Sequence, residues 1–121
     1  MHELSIAMSI VELAEEESTR RGGALITAVH LKLGALSGVM KEALQSSYEM
    51  ACEGTPLQGS QLIVEEVPVV VFCSACQANR PLHSMQLFCC AECGMPTPEI
   101  VQGKELEVVA LEIEEWAANR A

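Results

Sequence analysis

Aromatic side chains are scarce: the 121 residues include one Trp, one Tyr and two Phe. Half the chain is nevertheless hydrophobic, so any core must be aliphatic, built from Leu, Ile, Val, Ala and Met. Basic residues are scarce as well. Seven Lys and Arg stand against seventeen Asp and Glu, a net charge of −10. Such a field repels phosphate backbones and anionic membranes, and a nucleic-acid module would need a basic face with aromatics. No apolar run is long enough to cross a membrane. No secretory signal is recognisable at the start, which disfavours disulfides and points to the cytoplasm. No Ser-His-Asp pattern, phosphate-cradling glycine loop or catalytic acid pair is present, so an enzyme is not expected. There is no internal repeat or low-complexity tract.

Six cysteines are present, and four of them are patterned. Cys73-Ser-Ala-Cys76 and Cys90-Ala-Glu-Cys93 are two C-x-x-C knuckles separated by thirteen residues. This spacing is a strong signal for a structural zinc site. Two residues inside each knuckle let both sulfurs face one ion at ~2.3 Å, and the intervening loop brings the second pair to the opposite side of a tetrahedron. Gly94 follows where a tight turn needs positive φ. A redox dithiol lacks the β-α-β setting it would need. The segment is too short and polar to fold alone, so metal binding worth roughly 10–16 kcal/mol would supply its stability. Four thiolates around Zn(II) would add about −2 to the charge.

The length fits one domain, or a small domain carrying a smaller lobe, able to bury roughly two-thirds of its unfolded surface. Residues 4–21 read as a helix, with Leu4, Met8 and Val11 at helical spacing and Ala7, Ile10 and Ala14 widening the stripe. Glu12, Glu15, Glu16 and Glu17 form its solvated face, and Gly22-Gly23 ends it. A strand follows over 25–34, with Thr27, Val29, Leu31 and Leu33 on one face and Ala28, His30 and Lys32 on the other. Ser37 is placed to cap a second helix over 39–53, whose buried side is Leu44, Tyr48 and Ala51. Residues 62–71 read as a second strand, with an edge position or bulge at Pro68. Residues 105–114 read as a third, with a slip at Val108-Val109.

The expected fold is therefore α+β: a small, three-stranded, mainly antiparallel sheet with two helices on one face. A zinc-ribbon-like lobe over 71–103 is inserted between neighbouring strands of the body formed by 1–70 and 104–121. Edge strands around an inserted lobe allow exchange between protomers, so a homodimer stays open.

A second candidate site is the beginning of the chain, Met1-His2-Glu3. A free α-amine deprotonates near ~7.7–8.0. The amine, the His2 amide nitrogen and the His2 imidazole can close two chelate rings on one ion, with a further donor from the Glu3 amide or carboxylate. Such nitrogen-rich coordination suits Ni(II) or Cu(II) rather than zinc, and the helix start would stabilise an ionised amide nitrogen. On the residues alone, however, a histidine in second place reads first as a frayed, solvated terminus.

Several stretches together resemble the HypA/HybF family of nickel metallochaperones. They are M-H-E-L-S-I-A at the start, L-G-A-L-S-G-V at 33–39, Y-E-M-A-C-E-G-T-P-L from Tyr48, the paired C-x-x-C and the return G-K-E-L-E-V. The resemblance spans nearly the whole chain in order. It implies hydrogenase maturation, for some members also urease, with Ni(II) as transient cargo and Zn(II) as structural metal. It implies nickel ligation by His2 with the Met1 amine and the His2 and Glu3 amides, and zinc ligation by Cys73, Cys76, Cys90 and Cys93. The implied partners are a HypB-type GTPase and the hydrogenase large-subunit precursor, with neither nucleic acid nor membrane.

This chain departs from the family pattern twice. Some relatives carry a carboxylate directly after the G-V of L-S-G-V; here Met40, Lys41 and Glu42 follow, and Glu42 reads as surface charge before it reads as a ligand. Cys89 adjoins Cys90 and offers an alternative register, although the knuckle spacing and Gly94 favour Cys90. His83 could replace one thiolate in a Cys3His site, His30 reads as a structural or surface residue, and Cys52 as a small buried apolar one. Trp116 is expected to cover one end of the core or to anchor a partner. Two other readings remain at this point: a zinc-ribbon nucleic-acid module, and an adaptor in which zinc serves folding alone.

Overall fold

The computed structural model describes residues 2–114, so the readings placed on Met1 and Trp116 lie outside the described residues. The elements, in chain order, are α1 (Glu3–Arg20), β1 (Leu25–Gly34), α2 (Lys41–Cys52), β2 (Gln61–Val67), β3 (Val70–Cys73), β4 (Ala78–Pro81), β5 (Glu99–Gln102) and β6 (Leu106–Glu114). Two three-stranded sheets form, ordered β2-β1-β6 and β4-β3-β5. The chain divides into two compact units. One is Lys32–Ser37 with Glu66–Leu106, and the remaining described residues form the other.

The larger unit is held by one aliphatic cluster. Ala7, Ile10, Val11 and Ala14 of α1 meet Leu44, Tyr48 and Cys52 of α2, and Ile26, Val29 and Leu31 of β1. Leu111 and Ile113 of β6 pack against its edge. The buried face of α1 is Glu3, Ala7, Ile10, Val11, Ala14 and Ser18. Of the expected stripe, Val11, Ala7, Ile10 and Ala14 are buried, whereas Leu4 and Met8 are 44% and 55% exposed. In β1, Ile26 and Ala28 are buried and Thr27 is not; its hydroxyl instead donates to the Glu112 carbonyl at 3.2 Å.

Leu44, Tyr48 and Cys52 recur at every fourth residue of α2, so they stack on one face. The Tyr48 hydroxyl lies 2.7 Å from Ser60 Oγ, and Ser60 donates to the Leu57 carbonyl at 2.6 Å. Burial pushes the Tyr48 phenol upward, so it stays neutral inside the cluster. Cys52 is buried here, as its lack of a partner at metal spacing suggested. Ser37 does not cap α2. The helix starts later, with Met40 as an N-cap that makes no side-chain cap. Gly38, at φ +79°, turns the chain between them.

Pro68 ends a strand rather than bulging one. The expected single strand over 62–71 is two strands, β2 and β3, that belong to different sheets. Proline donates no ladder hydrogen bond, and the chain changes sheets across Pro68-Val69. The expected insertion between neighbouring strands also needs correction: β2 and β6 both flank the central β1, so the chain between them joins the two edges of the sheet. In β6 the alternation slips as expected, since two exposed residues, Val109 and Ala110, separate half-buried Val108 and Leu111.

In the smaller unit the L-G-A-L-S-G segment acquires a physical meaning. The Gly34 amide donates to the Glu105 carbonyl and the Leu36 amide to the Gly103 carbonyl, both at 2.7 Å. A Cβ built on Gly34 would stand 2.2 Å from the Gly103 carbonyl oxygen, and both colliding groups are backbone. Gly34→Ala is therefore expected to destabilise the fold by about 3 kcal/mol or more, at the upper end of overpacking costs. A chemical denaturation midpoint unchanged from the parent would contradict this close crossing.

Candidate metal centre

The four-cysteine site is assembled by a hairpin and a bridge. β3 pairs antiparallel with β4, with Cys73 opposite Ala78 and Val71 opposite Arg80. The turn between them carries Cys76. Its amide approaches Cys73 Sγ at 3.4 Å, and Gln77 closes it at φ +54°. The second knuckle is built the same way. The Glu92 amide approaches Cys90 Sγ at 3.4 Å, the Gly94 amide donates to the Cys90 carbonyl at 2.8 Å, and Gly94 takes φ +77°. The Cys90 amide donates to the Met95 carbonyl, and Cys89 forms an isolated bridge with Pro96.

The four sulfurs of Cys73, Cys76, Cys90 and Cys93 lie within 4.8 Å of one another. Cys73 and Cys93 are 3.5 Å apart, and Cys76 and Cys90 are 3.9 Å apart. A disulfide would need ~2.05 Å, and all six cysteines are free. A tetrahedron with metal–sulfur bonds of ~2.3 Å has edges of ~3.8 Å, so the donor set fits zinc in type, number and spacing. Neither Cys89 nor His83 belongs to the cluster; His83 is exposed in the loop between the knuckles.

The electrostatics fit a cation too. The Cys90 thiol is held down to about 6, first by the Cys93 amide and, against desolvation, also by the Glu92 amide. Cys93 is pushed up to about 12: the Met95 amide pulls it down, but the Cys73 thiol, desolvation and the other two sulfurs outweigh that pull. Crowded sulfurs cannot all ionise by themselves. A divalent ion would remove the conflict and displace the remaining protons.

One participant was missed from the sequence. The Arg80 guanidinium is held above its ordinary value by the neighbouring sulfurs of Cys76 and then Cys90, against desolvation. The signal for it was strand parity. Arg80 pairs with Val71, two residues from Cys73, so both side chains leave the same face of the hairpin.

At the beginning of the chain, His2 is the exposed N-cap of α1, and its carbonyl accepts from the Ile6 amide at 3.0 Å. Helix geometry asks for no carbonyl acceptor for the amides of this first turn. Glu3 is buried, and its carboxylate accepts from the Met40 amide at 3.3 Å. The start of α1 and the chain entering α2 are thus adjacent. Glu42 is exposed in the first turn of α2, where an acid complements the helix dipole. His30 lies 2.6 Å from the Glu112 carboxylate, which accounts for it as a structural residue.

The family model described as hydrogenase/urease nickel incorporation, metallochaperone, HypA matches residues 1–113. The chain belongs to the HypA family. It is 54% identical over 112 residues to the hydrogenase maturation factor HypA of Chloroflexus aurantiacus, covering 93% of this chain and 98% of that protein. Its fold is similar to the solution structure of the nickel metallochaperone HypA from Helicobacter pylori, with a TM-score of 0.64 at 24% identity over 93% of this chain and 97% of that one. A second solution structure of a HypA protein gives a TM-score of 0.71 at 24% identity, covering 95% and 98%. Membership makes the chain a maturation factor for nickel incorporation, not an enzyme. It thereby decides against the nucleic-acid module. Among the described residues no helix is long and apolar enough to cross a membrane.

Proposed function

We propose that this chain takes up Ni(II) with the Met1 amine, the amide and imidazole nitrogens of His2 and the Glu3 amide, and delivers it to the precursor of a hydrogenase large subunit. The observation that carries this reading is His2 itself: a family histidine on an exposed N-cap, where the chain meets the positive end of an 18-residue helix. Glu3 contributes through its backbone, because its carboxylate is engaged by Met40. Zinc, held by Cys73, Cys76, Cys90 and Cys93, keeps the lobe over 71–103 in shape on a body formed by 1–70 and 104–121. A closed four-sulfur site suits a resident ion, whereas few donors at a chain end suit one that must leave.

A HypB-type GTPase gives the transfer its direction, and the net charge of −10 steers the protein to basic patches on partners. Free thiols are at home in the reducing cytoplasm. Edge strands β2 and β6 leave room for a homodimer.

The test is transfer from untagged, nickel-loaded protein to metal-free large-subunit precursor, compared with protein whose α-amine has been acetylated. Acetylation is expected to abolish both loading and transfer. Undiminished transfer from the acetylated protein would refute the site.

A further inference from the structure

We infer that the free edge of β2, in the groove beside α2, takes a basic extended segment of a protein partner as a fourth strand of the sheet. The inference rests on the reading above that the acidic surface meets basic patches on partners, and it names where one of them seats. β2 is an outer strand in the order β2-β1-β6. Such a strand offers one row of main-chain donors and acceptors to a further chain.

Two hydrogen bonds show which groups turn outward. The Val67 carbonyl accepts from the Ala35 amide, just past the end of β1, at 3.0 Å. Carbonyls alternate in direction along a strand, so those of Leu62 and Val64 face away from β1. The Leu62 carbonyl agrees, since it accepts from the Gln45 side chain of α2 at 3.2 Å. A side-chain amide thus holds the place that the N–H of a neighbouring strand would take. Open space lies beside it. A groove of about 530 Å³ runs between Lys41, Gln45, Tyr48 and Glu49 on α2 and residues 60–64. Leu62 and Val64 turn their side chains to the core, whereas Ile63 is 38% exposed.

Charge selects the occupant. Among the described residues Lys41 is the one cation lining the groove, and the exposed acids Glu42, Glu49 and Glu65 outnumber it on α2 and β2. An added strand with Lys or Arg at alternate positions sets a cation toward the Glu49 wall or opposite Glu65. A second copy of the chain offers no such strand. The outer strands of its own sheet, β2 and β6, carry five Glu and no Lys or Arg, and like charges set opposite one another oppose pairing. In strand addition the main chain supplies affinity and alternate side chains supply specificity.

The experiment titrates isotope-labelled full-length protein with the end-blocked peptide K-V-K-V-K-V-K. Its control is the same peptide N-methylated at every residue, which keeps charge and side chains but has no amide donor. The first is expected to shift the Leu62 and Val64 amide resonances and slow their exchange with solvent. The control should bind at least about tenfold more weakly. Glu65→Lys should weaken the first peptide roughly 1.5–5-fold. Gln45→Ala, which frees the Leu62 carbonyl, should tighten it about 2–10-fold. Equal affinity for the two peptides would overturn the inference, since charge alone would then hold the partner. So would shifts that centre on β6, or the same β2 shifts arising with protein concentration and no peptide, which would seat a second copy there. Nickel content read on the same samples keeps the two readings apart. Failure of the peptide with normal nickel loading sinks the strand site alone, and peptide binding without nickel loading sinks the metal site alone.

Discussion

His2→Ala is expected to abolish stoichiometric nickel binding and leave zinc in place. The substitution removes the imidazole and with it one chelate ring. Outer partners of a metal site already account for about 10–100-fold in affinity, so loss of a direct donor should exceed about 100-fold. The fold should not respond, because the His2 side chain is exposed and makes no cap, and its carbonyl, which accepts from Ile6, is retained. The measurement is metal content per chain by elemental analysis, on protein with no residue ahead of Met1. A tag there would convert the amine to an amide and imitate the mutant. One nickel per chain in the alanine variant would rule out the proposed site, and loss of zinc alongside nickel would deny that the two sites are independent.

The second large effect is confined to the smaller unit. Removing zinc with a strong chelator, or replacing Cys73 by serine, should unfold the β4-β3-β5 sheet and spare the helices. Structural zinc contributes roughly 10–16 kcal/mol of apparent binding near pH 7, as much as the whole stability of an ordinary domain. Three strands of four residues each, β4 and β5 with half their residues exposed, bury too little to replace it. The helices keep their own cluster around Leu44, Tyr48 and Leu31. Helical circular dichroism should therefore persist while the amide resonances of 70–102 collapse to unfolded positions. Acid should act in the same direction. Cys90, held down to about 6, favours the folded lobe above its ordinary value of 9.0 and loses that contribution as the pH falls through about 6. Dispersed lobe resonances in zinc-free protein would show that the metal is not what folds it.

Much of this was legible in one dimension. Paired C-x-x-C knuckles fix four donors by covalent spacing, and the structure brings those four together and leaves Cys89 aside. The boundaries of β1 could be read because a run of β-branched and apolar residues, interrupted only by His30 and Lys32, lies between Gly23 and Gly34. The failures were choices among equivalent periodicities. Leu4 and Met8 share the helical period of the buried Ala7, Ile10, Val11 and Ala14, and only the partner surface decides where the stripe ends. A run of valines and isoleucines through Pro68 looks like one strand until two sheets compete for its halves.

What the sequence by itself determined is therefore the pattern of donors: sulfurs at a spacing that closes a tetrahedron, and a histidine in second place, where the proposed chelate with the chain's own backbone would form. These are properties of neighbouring residues and survive without a fold. Tertiary structure alone decided what must be compared across distance. It set β1 between β2 and β6, brought the Met40 amide to the Glu3 carboxylate, pressed Gly34 against Gly103 and placed Arg80 opposite Val71 on the hairpin that carries Cys73. Each depends on which surfaces meet, and local spacing carries no record of that.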